Sequence, residues 1–203
     1  MPTVLTLLLC FLSLTAAAQT PMEPPRNVVK SRVLGLAASF VQVRHLGELD
    51  MDVESRGRVA CDFACNRLRW QVDFPVASIT LIDGKKLTYY DAETGKTAVL
   101  EVRKFPWLEL LREALSDWLS GDRERLVGRF EVTPAGPGGL HLVPRDAALK
   151  KLFRSVDIAI APDGGTVRRI LIAEDAGDTL EIRFSEVETD PKWSPPIWRM
   201  PER

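Results

Sequence analysis

From Leu49 to Cys61 the chain alternates with a period of two. Leu49, Met51, Val53, Ser55, Gly57, Val59 and Cys61 fall on one side; Asp50, Asp52, Glu54, Arg56, Arg58 and Ala60 fall on the other. This predicts a single strand with one dry and one wet face, ~40 Å long at about 3.3 Å per residue. Such length suits the wall of a barrel or half-barrel, although an ordinary sandwich strand carries the same pattern. Shorter runs of the same kind follow at hairpin intervals: Leu68-Arg69-Trp70, Ile79 to Ile82, Leu87 to Tyr90, Lys96 to Val102, Phe130 to Val132, Leu140 to Pro144, Leu152 to Ala161, Val167 to Glu174 and Thr179 to Val187. Turn chemistry separates them, at Asp73 to Pro75, Asp83-Gly84, Pro134 to Gly139, Pro162 to Gly165 and Asp175 to Asp178. The sum is a meandering antiparallel sheet.

Two stretches follow the helical period instead. Asn27 is placed to cap a helix running to about Ser39, with Val29, Val33, Leu36 and Phe40 on one face. Trp107 to Leu119 sets Trp107, Leu108, Leu111, Leu115, Trp118 and Leu119 on one stripe, with Pro106 at its start and Gly121 at its exit. That stripe is either plain core packing or the apolar side of a lid over the sheet's dry face. A short helical turn is expected at Asp146 to Lys151, with strands resuming from Leu126. The domain expected from this pattern spans 27–190, preceded by a proline-rich extended lead-in at 19–26. It is followed by a Pro/Trp-rich strap at 191–203, expected to lie irregularly along the body.

Residues 1–18 change the compartment. Val4 to Leu14 is an apolar run ending in Thr15-Ala16-Ala17-Ala18, which predicts a secretory signal peptide cleaved near Ala18 and a periplasmic protein; the run is shorter than the ~20 residues of a membrane span. Cys10 follows Leu9, a poor fit to lipoprotein processing, so no N-terminal lipid anchor is expected.

Composition narrows the chemistry. In 203 residues, 27 basic and 28 acidic side chains are interspersed, which argues against nucleic acid or an anionic membrane surface as partner. His45 and His141 have no nucleophile elbow or metal-ligand spacing around them, and Gly136 to Gly139 lacks the residues of a phosphate cradle, so neither catalytic site nor metal nor cofactor is expected. Cys61 and Cys65, at the tip between two strands of an exported chain, are expected to form a local disulfide, with a pair of reduced thiols as the alternative.

The order Phe40-x-Gln42, Gly57, Leu68-x-Trp70, Pro75, Asp83-Gly84 and Tyr90-Asp91 resembles the LolA-type periplasmic lipoprotein carriers, over roughly Asn27 to Val187. The resemblance implies an α+β fold: a strongly curved antiparallel sheet forming an open, unclosed β-barrel with covering or lid helices. It implies a non-enzymatic, monomeric carrier that holds an acylated cargo, lipoprotein or glycolipid or polyene-type lipid, between an inner-membrane donor and an outer-membrane acceptor. The expected lining is Met51, Val53, Val59, Trp70, Leu108, Leu111, Leu115, Trp118, Ile158, Ile170 and Ile182. In that family an Arg before the Trp strand latches the lid; here Ala64-Cys65 occupies that stretch, with Arg67 and Arg69 nearby. Two other classes stay open: a sensor or interaction module that uses the same cup on a lipoprotein or protein partner, and a hydrolase, for which no nucleophile is found.

Overall fold

The computed structural model describes residues 33–101, 123–161, 166–174 and 177–201. Eleven strands form one antiparallel sheet: β1 (Gly35–Leu46), β2 (Met51–Asp62), β3 (Arg67–Phe74), β4 (Ser78–Asp83), β5 (Lys86–Asp91), β6 (Lys96–Glu101), β7 (Phe130–Pro134), β8 (Gly139–Pro144), β9 (Ser155–Ile160), β10 (Val167–Ala173) and β11 (Thr179–Thr189). A helix α1 (Arg123–Arg129) leads into β7, a one-turn helix α2 (Ala147–Lys150) joins β8 to β9, and a 3-10 turn spans Pro195–Trp198.

The strand order β6-β5-β4-β3-β2-β1-β11-β10-β9-β8-β7 follows from hairpin connections plus one long-range pairing, β1 with β11. That seam makes the first and last strands the centre of the sheet, and two series of hairpins fan out from it. The edges β6 and β7 do not pair with each other, so the sheet stays unclosed; residues 102–122 join one edge to the other in sequence. Register shifts at Ala37/Ser39, Arg56/Gly57 and Val167/Arg169 bend the strands near the seam and add to the twist that curls large sheets.

Alternation assigns the faces. Leu36, Ala38, Phe40 and Gln42 of β1 lie opposite Cys61, Val59, Gly57 and Ser55 of β2, while Phe40, Gln42 and Arg44 face Phe184, Ile182 and Leu180 of β11. This inner face carries the main core, where Leu36, Phe40, Val59, Leu140, Leu142, Val156, Ile158, Ile170, Ile172 and Ile182 pack with Leu126 of α1, Leu149 of α2 and Phe153. The Asp146 carboxylate caps α2, accepting from the backbone N–H of Ala148 at 2.6 Å and of Leu149 at 3.3 Å, and so sets Leu149 into the core.

One expected element is corrected. Residues 35–39 are the start of β1, not the end of a helix. Leu36 and Phe40 are four apart, a spacing that satisfies both a helical stripe and strand alternation, and pairing with strands on both sides decides for the strand. The part of that expected helix before Val33, the Trp107 to Leu119 helix and the signal peptide lie outside the described residues. The segment before β7 is helical at α1, where only strands were expected.

Candidate ligand-binding face

The inner face is organised around an aromatic station that needs three residues from three strands. Phe40 of β1 stacks on Trp70 of β3 with ring centroids 4.1 Å apart and planes at 28°. The two rings can meet across β2 because Gly57 lies directly opposite Phe40. A Cβ at Gly57 would stand 1.9 Å from the Gln71 carbonyl oxygen and 2.9 Å from Phe40 Cζ. The glycine therefore lets a ring and a neighbouring strand close over the same point.

Val59, Ile158, Ile170 and Ile182 are buried in the same cluster, and Trp70 packs against it partly buried. Met51 and Val53 share the inner face by register but stand outside the packed part, 45% and 40% exposed, at the far end of the β1–β2 hairpin. Leu108, Leu111, Leu115 and Trp118 fall outside the described residues.

Several inner-face residues were not singled out from sequence as lining: Leu36, Ala38, Phe40 and, among polar groups, Gln42, Ser55 and Arg44. The signal was present as alternation from Leu36 to Arg44, hidden by the helix assignment. Arg44 makes an ion pair with Glu174, which is 1% exposed, and lies 3.9 Å from Asp178. Asp178 Oδ1 also accepts from the Gly47 backbone N–H at 2.7 Å. Charge thus collects at the hairpin end of the inner face, beyond Gln42.

The structure leaves Cys61 and Cys65 free in place of the expected disulfide. Cys61 is opposite Leu36 and Leu68 on the inner face, whereas Cys65 sits exposed in the turn that links β2 to β3, where its backbone N–H donates to Asp62 Oδ1 at 2.9 Å. Alternation and the turn direct the two thiols differently. Burial pushes the Cys61 thiol up to about 12, and a hydrogen bond with Asp62 together with its charge raises that of Cys65, so neither is an activated nucleophile.

The outer face is occupied differently. Arg67 and Arg69 both point there, away from Leu68 and Trp70, as their cross-strand partners require. The Arg69 guanidinium donates to the carbonyl oxygens of Ile197 at 3.1 Å and Arg199 at 3.0 Å; Arg67 lies 5.8 Å over the Trp198 ring and 3.4 Å from Asp83. Asp190 accepts from the backbone N–H groups of Leu34 and Gly35, and Trp193 lies against Gly35, where a Cβ would come within 3.0 Å of the indole. These arginines thus fasten the C-terminal residues to the outside of the sheet. Beside them a groove of about 260 Å³ runs over Ala37, Ser39 and Ala60, walled by Arg58, Gln71, Glu186 and Ile197.

His45 bonds Asp52 at 2.8 Å and His141 bonds Asp157 at 2.6 Å, both across strand pairs on the outer face. Among the described residues, no three His, Cys, Asp or Glu side chains converge as a metal site would require. The face with the most organised apolar surface is the inner one, and burial of apolar ligand surface is what it can do.

Residues 31–200 match the family described as "Outer membrane lipoprotein carrier protein LolA". A relative from Aliivibrio salmonicida (strain LFI1238), named outer-membrane lipoprotein carrier protein, is 26% identical over 184 residues, 89% of this chain and 85% of that protein. Among solved structures, an uncharacterized conserved protein from Thermus thermophilus superposes with a TM-score of 0.51 at 13% identity, covering 87% of this chain and 91% of that one, a likeness of fold alone. A LolA superfamily protein from Nitrosomonas europaea gives a TM-score of 0.42 at 10% identity, covering 86% and 93%.

Proposed function

The chain belongs to the LolA family of outer membrane lipoprotein carriers, and from that premise we propose that it is a periplasmic carrier that holds the acyl chains of its cargo against the inner face of the sheet. One observation carries the reading: the apolar core lies on one face of a sheet whose edges β6 and β7 do not meet. A sheet closed on itself and filled with its own side chains would have no place for a guest. Here the chain from Glu101 to Arg123 connects the two edges, and it contains the Trp107 to Leu119 stripe.

In this reading the stripe is the lid, and Leu108, Leu111, Leu115 and Trp118 face either the sheet or the guest. Shielding an acyl chain of a few hundred Å² at ~25 cal/mol per Å² is worth several kcal/mol before ordering costs. That is enough to hold a cargo in water and little enough to release it. The carrier takes its cargo from an inner-membrane donor and gives it to an outer-membrane acceptor, with an exported, cleaved N-terminus.

The test is mass spectrometry of the organic extract of protein purified from the periplasm of its own host. Acylated species near one per protein support the carrier; a folded protein with an empty extract counts against it. Leu111→Glu or Leu115→Glu should abolish retention of the extracted species while circular dichroism keeps its sheet signature, and unchanged retention removes the lid from the account.

A further inference from the structure

Strand β2 outruns its neighbour β3. Each residue of β2 from Met51 to Asp62 is paired with β1, whereas pairing with β3 starts at Asp62 and stops at Arg56, opposite Phe74. The chain then leaves β3 and returns as β4 from Ser78. Among the described residues no strand is paired with 51–55 on that side. In an antiparallel ladder alternate residues aim both N–H and C=O at the same neighbour. The stretch therefore presents an unused row of backbone donors and acceptors, ~17 Å long at about 3.4 Å per residue.

Soluble proteins guard such edges with lysine, proline or an inward-pointing charge. Residues 51–55 contain no lysine or proline, and the side chains at the open end of the inner face are Met51 and Val53, 45% and 40% exposed. Leu49 in the turn before them and Phe74 at the end of β3 are more exposed still, at 68% and 57%. Free backbone groups flanked by exposed apolar side chains are the two halves of a strand-addition site: main-chain hydrogen bonds supply affinity, and alternate side chains supply choice.

The charges define the occupant. Glu48, Asp50, Asp52 and Glu54 follow one another with no basic residue between them. Asp52 and Glu54 lie on the outer side of this edge, 65% and 43% exposed. Asp52 Oδ1 meets His45 and Glu54 Oε1 meets Arg56, so each keeps a second carboxylate oxygen for a further donor. A second copy of this chain added edge to edge would set acid against acid, which is unfavourable. A strand with apolar residues on one side and basic residues on the other meets Met51 and Val53 with the first and Asp52 and Glu54 with the second. We propose that the 51–55 edge of β2 is a docking site for an extended segment of a partner protein, of alternating apolar and basic residues, which pairs there as an added strand. The site takes polypeptide, and it does not rest on the carrier reading.

The full mature protein is titrated with a fluorescent peptide of alternating valine and lysine, capped at both ends. Two counterparts are titrated beside it: the same peptide N-methylated throughout, which cannot donate to an edge, and one with glutamate in place of lysine. Anisotropy reads affinity, and amide exchange reads the place. The valine-lysine peptide should bind saturably and slow exchange within 51–55, and both counterparts should bind at least about tenfold more weakly. The double variant Asp52→Lys with Glu54→Lys should shift the preference from the lysine to the glutamate peptide by about tenfold, as two cross-strand charge pairs would give. A urea midpoint confirms its fold.

Binding that survives N-methylation, or that does not distinguish lysine from glutamate, overturns the site, as does protection that appears on β6 or β7 and not on β2. A wild type that binds none of the three peptides overturns it too. The wild-type comparisons decide the matter even where the double variant fails to fold. No lipid enters the experiment, so each outcome leaves the carrier reading where it stands.

Discussion

The two wings that leave the β1–β11 seam are built from the same kinds of strand and are packed very differently. On one side, β10, β9, β8 and β7 continue the seam's core and receive Leu126, Leu149 and Phe153 from the segments that connect them. On the other side, beyond β3, a smaller buried cluster joins Ile82, Leu87 and Tyr89, with Leu68 and Leu100 partly buried against it, while Ile79 and Leu81 are buried on the opposite face of β4. The outermost strand there, β6, is exposed along almost its whole length, and Val99 is 56% exposed. Among the described residues burial on this side fades from β4, covered on both faces, to β6, and strands with few buried side chains open locally at low cost. The thinner wing ends in β6, the strand that precedes in sequence the segment proposed above as a lid.

The strongest way to break this contrast is at the seam. Gly57→Ala places a methyl group 1.9 Å from the Gln71 carbonyl oxygen and against Phe40, where backbone must move. A cost of about 3 kcal/mol is expected, which lowers the melting temperature of a chain this size by about 6–12 °C. A calorimetric scan unchanged from wild type would mean that the close approach of β1, β2 and β3 is not what organises the face.

Next in size is a matched pair. Leu142 is fully buried at 0% exposure in the large cluster, and Leu87, at 3%, in the small one. Leu142→Ala should cost about 3–4 kcal/mol and Leu87→Ala about 2, because among the described residues Leu87 belongs to the smaller buried cluster. Urea midpoints measure both. Amide exchange sharpens the result, since β5 and β6 should exchange well before β10 and β1 in the wild type; equal protection would erase the difference between the wings.

Much of the wing architecture was legible in the sequence, and the seam was not. Asp83-Gly84 and the alternation in Ile79 to Ile82 and Leu87 to Tyr90 mark a local hairpin, and β4 and β5 form it. The pairing of β1 with β11 joins residues about 150 apart in sequence, as in Leu36 with Thr189, and no short-range pattern carries that information. The same absence let residues 35–39 pass as helix. Of the residues expected to line the cup, Val59, Trp70, Ile158, Ile170 and Ile182 were readable as inner-face core positions because alternation marks the dry side of their strands. Met51 and Val53 obey the same alternation yet stand exposed, since periodicity reports the face of a strand and not how far the core extends along it. The role of Arg67 and Arg69 was unreadable because their partners, Trp198 and the carbonyls of Ile197 and Arg199, come from the far end of the chain.

A smaller effect should come from those contacts. Arg69→Gln removes donors to two carbonyl oxygens, and a loss of about 1 kcal/mol is expected. The loss should be local: acrylamide should quench Trp193 and Trp198 more readily, with the midpoint of the packed wing almost unmoved. If quenching stays the same, the C-terminal residues are held by Asp190 and Trp193 without help from β3.

The smallest effect concerns the outer face of the seam, where charge rather than packing is at work. Arg169 and Arg183 are directly opposite on β10 and β11, an unfavourable pairing of like charges, and Glu181 bonds both. Burial opposes ionisation of Glu181, but the hydrogen bonds from Arg183 and Arg169 outweigh it and hold the carboxyl below its ordinary 4.5. A carboxylate with a depressed folded-state pKa contributes stability that is fully present above the unfolded value and is lost as pH falls through the folded one. The wild-type urea midpoint should therefore decline below about pH 4.5 partly through this group. Glu181→Gln should start lower at neutral pH, with the two guanidinium groups unbalanced, and decline less steeply in acid. Parallel pH profiles for the two proteins would show that Glu181 is solvated as well in the unfolded chain as its arginines hold it here. The seam would then owe its strength to the inner face alone, the clearest form of the contrast between the wings.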